Sequence, residues 1–248
     1  MNTEMLLQQA IASQDHAALK VSYRVQGETL IIEDFLPVEI LTACQQAITG
    51  LDSEVNRTNI PGHKKGGSVS RFIIDRYAPV MGRIYRSPAL WQWLEEVTGE
   101  HLLDCPADDP HAYTLYYYTE PGDHIGWHYD TSYYKGRRYT LLLGMVDDSS
   151  SILECELHRE NPARASEQLS VALQPGILML FNGDRLWHRV TPLGPGERRI
   201  VLTMEFVTDR NRHPWRRFVS NMKGSIAYFG FRQAFGRVWN GIGHGERQ

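Results

Sequence analysis

The residues in this sequence best suited to chemistry are two histidines and a carboxylate: His128 and Asp130 in the run His128-Tyr129-Asp130, and His188 further along. Side chains two apart on an extended strand point to the same side, so His128 and Asp130 can reach one ion together. His188 then has to come from a later strand that faces the same space. Two imidazoles and one carboxylate hold iron(II) on one face and leave coordination positions open. Oxygen chemistry needs those positions, because a cosubstrate and dioxygen must both reach the metal. A His-x-Asp alone is a weak signal in a chain with 10 histidines and 29 acidic residues, so the surrounding pattern decides.

That pattern is ordered. Gly122-Asp123 form a turn before the His-x-Asp, after an aromatic run that includes Tyr116, Tyr117 and Tyr118. Pro175-Gly176 open an apolar run ending at Phe181-Asn182, and Trp187-His188-Arg189-Val190-Thr191-Pro192 leads on to Arg198. Over residues 113–207 the sequence resembles the prolyl-4-hydroxylase-like branch of the iron(II)- and 2-oxoglutarate-dependent oxygenases. The matching pieces are the tyrosine and Gly-Asp ahead of His-x-Asp, R-x-x-T in Arg137–Thr140, P-G-x-L-x-x-F, and H-x-V-x-P followed by G-x-R in His188–Arg198. Within that family the texture is closest to the group that oxidises or halogenates free amino acids, through GRRYT (136–140), FNGD (181–184) and an aromatic C-terminal segment. Two features depart from the pattern: one extra residue stands between Tyr118 and Gly122, and SSSILECE (149–156) lacks the Gly-Gly often found there.

Length and patterning read as one domain spanning 1–248: a mainly helical part (1–110), a jelly-roll core (111–207) and a helical tail (208–248). The resemblance adds the chemistry. It implies iron(II), 2-oxoglutarate and dioxygen as metal, cosubstrate and oxidant, with His128, Asp130 and His188 as ligands. The far carboxylate of 2-oxoglutarate needs a cation, and the fork of an arginine suits it. Arg198 matches the family position, whereas its neighbour Arg199 points to the opposite face and is read as a surface ion pair. Thr140 matches the hydroxyl that supports the same carboxylate, and either Tyr116 or Tyr118 is the matching tyrosine. Related halogenases carry a small residue in place of the ligand carboxylate. Asp130 is intact here, so hydroxylation is expected. Candidates to hold a small charged substrate are Glu120, His124, Arg71, Arg76 and Trp239; each also has an ordinary reading as a solvated or packing side chain. His63 and His111, like the other histidines outside the motif, have no partner at ligand spacing and are assigned no role. The leading expectation is a free amino acid as substrate. The alternatives are a peptide or protein substrate, and a cupin-like binding protein without activity.

Positioning three distant ligands requires a sheet block. From 111 to 207 strand-like runs follow one another at 112–119, 124–130, 137–146, 151–158, 168–174, 176–182, 186–191 and 197–207. Eight antiparallel strands at that spacing make a jelly roll. Helices are expected at 3–19, 37–49, 87–98 and 214–238, the third capped by Ser87, opened by Pro88 and closed by Gly99. Residues 21–33 read as two short strands around a glycine turn. The stretch 56–70, rich in Gly, Asn, Ser and Lys, reads as a surface loop able to act as a lid. The fold class is therefore α+β around a double-stranded β-helix.

Composition bounds the rest. The 248 residues, 42% hydrophobic, can bury a sizeable core. A net charge of -3 with basic residues spread along the chain lacks the footprint of a nucleic-acid binder. Apolar runs are far too short for a membrane span. Three scattered cysteines read as reduced thiols, and no secretory leader is visible, which makes the cytoplasm the expected location. The expected partner is a small-molecule substrate, not nucleic acid or membrane.

Overall fold

The computed structural model describes residues 2–130 and 134–211; the expected helix 214–238, and Trp239, lie outside them. Six helices and a short hairpin lead into the sheet block. The helices are α1 (Thr3–Ala12), α2 (His16–Val25), α3 (Val38–Ile48), α4 (Arg71–Tyr77), α5 (Pro79–Tyr85) and α6 (Pro88–Thr98). The expected single helix over 3–19 is two, because Asp15 caps a new start by accepting from the Ala18 amide at 3.0 Å. That second helix runs through 21–25, so only β1 (Thr29–Ile32) is extended in the segment read as two strands. In α6, Ser87 accepts from the Leu90 amide and Gly99 closes the end with φ 74°, a left-handed position that favours glycine.

The stretch 56–70 is not a lid. It is the hairpin β2 (Asn56–Ile60) and β3 (Lys64–Val69), and β3 pairs with a central strand. Its glycines serve close approach: a Cβ at Gly67 would stand 2.4 Å from the Val55 side chain and 3.2 Å from Tyr117. Lys64, which suggested a solvated loop, is buried.

After the two-residue β4 (Leu103–Asp104) come the eight expected strands. They are β5 (Tyr113–Tyr118), β6 (His124–His128), β7 (Arg138–Asp148), β8 (Leu153–Leu157), β9 (Glu167–Val171), β10 (Leu178–Asn182), β11 (Trp187–Val190) and β12 (Arg198–Val207). All pair antiparallel, in the order β1-β10-β7-β12-β5-β3-β6-β11-β8-β9. The sheet curls so that its two ends enclose a common interior.

This curl makes two cores. Ile200, Leu202, Met204 and Phe206 of β12 pack outward against the helices, together with Leu90, Trp93, Leu94 and Val97 of α6 and α6-side neighbours. Val201 of the same strand faces inward with Tyr118, Leu142, Leu153, Phe181 and Val190. The central strand is thus buried on both sides. Gly144 of β7 lies where β7 and β12 shift register, and the chain at 173–174 crosses close above it. An added Cβ would meet the Gln174 carbonyl at 2.1 Å and the Leu173 carbonyl at 2.4 Å, and rigid backbone cannot yield as a side chain can. Gly144→Ala is expected to cost about 2 kcal/mol or more of stability in denaturant unfolding; an unchanged midpoint would show that the crossing relaxes freely.

Candidate metal centre and cavity

The inward positions of β5, β6, β7, β11 and β12 line one cavity. On β7 they are Arg138, Thr140 and Leu142; on β12 they are Arg199, Val201, Thr203 and Glu205. His128 and His188 are direct partners across the β6–β11 pairing, with ring centroids 4.2 Å apart. Asp130 follows β6, its amide donating to the Gly183 carbonyl at 2.9 Å. Its Oδ1 stands 3.5 Å from His128 Nε2 and 3.7 Å from His188 Nε2. One ligand atom from each of the three residues falls within 4.8 Å of the others.

The donor set fits a divalent transition metal. Nδ1 of His128 lies 2.8 Å from the Gly126 carbonyl and Nδ1 of His188 lies 2.9 Å from the Leu186 carbonyl. A carbonyl only accepts, so each Nδ1 carries the proton and each Nε2 offers its lone pair to the interior. Burial pulls the His188 pKa down to about 4, against the pull of Asp130, which keeps the ring neutral at pH 7. Burial alone would raise the Asp130 carboxyl; the Arg138 guanidinium beside it opposes that and the group lies well below the usual range.

The two neighbouring arginines of β12 part ways in the structure. Arg198 lies on the outward face of β12, 39% exposed at its side chain, and reaches Asp52 at 3.4 Å. Arg199 is the one that enters the cavity. It is 1% exposed, its guanidinium sits 5.8 Å over the Tyr118 ring, and Nη1 is 3.3 Å from both the carbonyl and hydroxyl oxygens of Ser151. Among the described residues it has no ion-pair partner, and its Nε has no hydrogen-bond acceptor. Its cross-strand partner Asp147 acts on it electrostatically without forming an ion pair, and a guanidinium buried this deeply at the cavity wall suits an anionic guest. The parity of β12 held the signal: positions 200, 202, 204 and 206 are all apolar, while 199, 201, 203 and 205 mix polar and apolar groups, as a cavity wall does. Of the two tyrosines, Tyr118 meets Arg199 and Tyr116 lies under Lys64, whose Nζ is 4.4 Å from the ring centre. Thr140 lines the cavity too, but its hydroxyl is donated to Asp130.

The expected substrate residues fare differently from the triad. Glu120 pairs with Arg57 at 3.0 Å in an exposed turn, and His124 Nδ1 bonds the Gly122 carbonyl. Arg71 packs over Tyr113 and donates to the Pro106 carbonyl, and Arg76 lies over Tyr77. None of these four lines the cavity. Residues left without a role do: His63, whose ring meets His128 edge-on at 6.2 Å, and buried His111, kept neutral because burial lowers its pKa to about 4. Arg138 and Glu205, an ion pair at 2.5 Å, complete that wall with Thr203.

The family model for halogenase D matches residues 11–135, half of the chain. The chain belongs to the halogenase D family. No curated protein matches it by sequence. Solved structures similar to this halogenase D family member include the non-haem α-ketoglutarate-dependent epimerase SnoN from nogalamycin biosynthesis, at 13% identity and TM-score 0.64, covering 77% of this chain and 80% of that one. A Trichoplax adhaerens prolyl hydroxylase, solved with a hypoxia-inducible-factor peptide fragment, is 14% identical with TM-score 0.63, covering 82% and 92%. A Pseudomonas putida prolyl-4-hydroxylase is 18% identical with TM-score 0.56, covering 79% and 100%. At these identities the likeness is one of fold. Family, fold and donor set together make this halogenase D family member an iron(II)- and 2-oxoglutarate-dependent oxygenase. Among the described residues no helix is long and apolar enough to cross a membrane.

The two arginines give a direct comparison. Arg199→Met is expected to raise the 2-oxoglutarate concentration for half-maximal turnover by about 100-fold, the cost of removing one partner of a buried charge pair. Arg198→Ala should leave it within about 2-fold, as for an exposed pair. Equal effects in a steady-state titration of 2-oxoglutarate would contradict the assignment.

Proposed function

We propose that the protein hydroxylates an unactivated C–H bond of a small polar molecule, a free amino acid, with His128, Asp130 and His188 holding iron(II). The observation that carries this reading is a complete two-histidine, one-carboxylate set opening onto a cavity that also contains a buried arginine with no ion pair among the described residues. Bound iron(II), with 2-oxoglutarate and dioxygen, supplies the oxidation that cleaves the C–H bond, while 2-oxoglutarate leaves as succinate and carbon dioxide.

The chain's own groups divide the work. Arg199 and Tyr118 receive the far carboxylate of the cosubstrate. Leu142, Leu153, Leu173, Phe181, Val190 and Val201 wall that region with apolar surface, which excludes water and strengthens the charge pairing. The wall bearing Arg138, Glu205, Thr203, His111 and His63 offers a guanidinium and a carboxyl, the latter's pKa pushed up to about 8 by burial, beside neutral hydrogen-bonding groups. That mixture complements a small polar molecule better than it complements an apolar ring system.

Asp130 supports hydroxylation over halogenation. Its carboxylate stands where a halide would have to bind the metal, and it is held there by the Thr140 hydroxyl and the Gly183 backbone. The test is succinate release and product mass from protein loaded anaerobically with iron(II), across a panel of free amino acids in the presence of chloride. The expected result is one oxygenated product matched to succinate. A chlorinated main product would overturn the reaction type. Turnover of a proline-containing peptide with a silent amino-acid panel would overturn the substrate class.

A further inference from the structure

A carboxylate can ligate a metal through one oxygen or chelate it through both, and the choice changes how many positions stay open. The two oxygens of Asp130 have unlike surroundings. Oδ1 faces the Nε2 atoms of His128 and His188 at 3.5 and 3.7 Å. Oδ2 accepts the Thr140 hydroxyl at 2.6 Å and has Arg138 Nη2 at 4.0 Å. Arg138 is itself held by Glu205 on the neighbouring strand.

The backbone enforces this arrangement. The Gly183 amide donates to the Arg138 carbonyl at 2.8 Å, and the Gly183 carbonyl accepts from the Asp130 amide. A Cβ at 183 would stand 2.8 Å from Asp130 Cβ and 3.1 Å from Thr140 Oγ1. Only glycine lets the ligand loop settle onto β7 closely enough for the Thr140 contact. Thr140 is β-branched and sits between Phe181 of β10 and Glu205 of β12, so its hydroxyl has little rotamer freedom.

We propose that Thr140, with Arg138 behind it, is a positioning residue for Asp130. It commits one carboxylate oxygen to the protein and leaves the other as a single-point ligand, which keeps a coordination position open for cosubstrate or dioxygen. This differs from a role for Thr140 at the cosubstrate carboxylate, since a hydroxyl has one proton and here it is given to Asp130. The inference rests on the reading that the triad binds the metal.

The experiment measures Mn(II) binding to the metal-free protein without 2-oxoglutarate, from the electron paramagnetic resonance signal of free Mn(II). Wild type, Thr140→Val, Thr140→Ser and His188→Ala are compared. Thr140→Val keeps the shape and removes the hydroxyl. It is expected to weaken Mn(II) binding by about 10- to 100-fold, with Thr140→Ser restoring it to within about 3-fold. At saturating metal, the 2-oxoglutarate requirement should change by less than about 3-fold in either variant. Wild-type Mn(II) affinity in Thr140→Val, with a raised 2-oxoglutarate requirement, would overturn the inference and return Thr140 to the cosubstrate. Should Thr140→Val not fold, Thr140→Ser decides against Arg138→Lys, where weakened metal binding is expected in the lysine variant alone and equal binding in both overturns the proposal. Absence of Mn(II) binding by wild type, or binding undiminished in His188→Ala, would mark failure of the triad reading itself, and the inference falls with it.

Discussion

Everything at the centre depends on the register between β6 and β11. Their pairing sets His128 directly opposite His188, and because strand side chains alternate, a slip of either strand by one residue would turn its ring out of the cavity. The outward neighbours oppose such a slip. Trp127 and Trp187 stack across the same two strands, 6.2 Å apart and nearly parallel, with Arg189 over one ring and Arg159 over the other. A large aromatic pair on the outer face and an imidazole pair on the inner face thus specify one alignment together. Neither tryptophan touches the chemistry, yet both keep the histidines facing inward.

The cavity built on that register has two contrasting regions. One is apolar with a buried arginine, and it favours a single anionic group in a site that excludes water. The other joins acid, base and imidazole within a few ångströms, and its charges are largely satisfied within the protein. The Asp130 carboxylate stands between the two regions and is tied by backbone and side chain to β7 and to the loop after β10. The strands that frame the cavity therefore also orient His128, Asp130 and His188.

Much of this was legible in the sequence. The eight core strands and the capped helix beginning at Pro88 follow from alternation and turn residues within single elements, and the grouping of His128, Asp130 and His188 follows from the ordered family pattern. What stayed hidden depends on contacts between elements. The pairing of Arg138 with Glu205 joins β7 to β12, and nothing local announces it. The choice between Arg198 and Arg199 depends on which side of a strand buried on both faces meets the cavity, and a motif that counts residues cannot see the parity that Thr203 and Glu205 reveal. The Gly- and Lys-rich stretch 56–70 has the composition of a loop, yet its glycines permit tight strand packing and Lys64 points inward. Glu120, His124, Arg71 and Arg76 were chosen by nearness in sequence to the motif or to that stretch, and such nearness does not place a side chain on the cavity wall.

The most direct measurement is a crystal structure of the protein with Mn(II) and 2-oxoglutarate, grown without dioxygen. The expected result is a single ion bound by His128 Nε2, one oxygen of Asp130 and His188 Nε2, with the far carboxylate of 2-oxoglutarate against Arg199 and Tyr118. An ion bound elsewhere, or the cosubstrate carboxylate at Arg198, would contradict it.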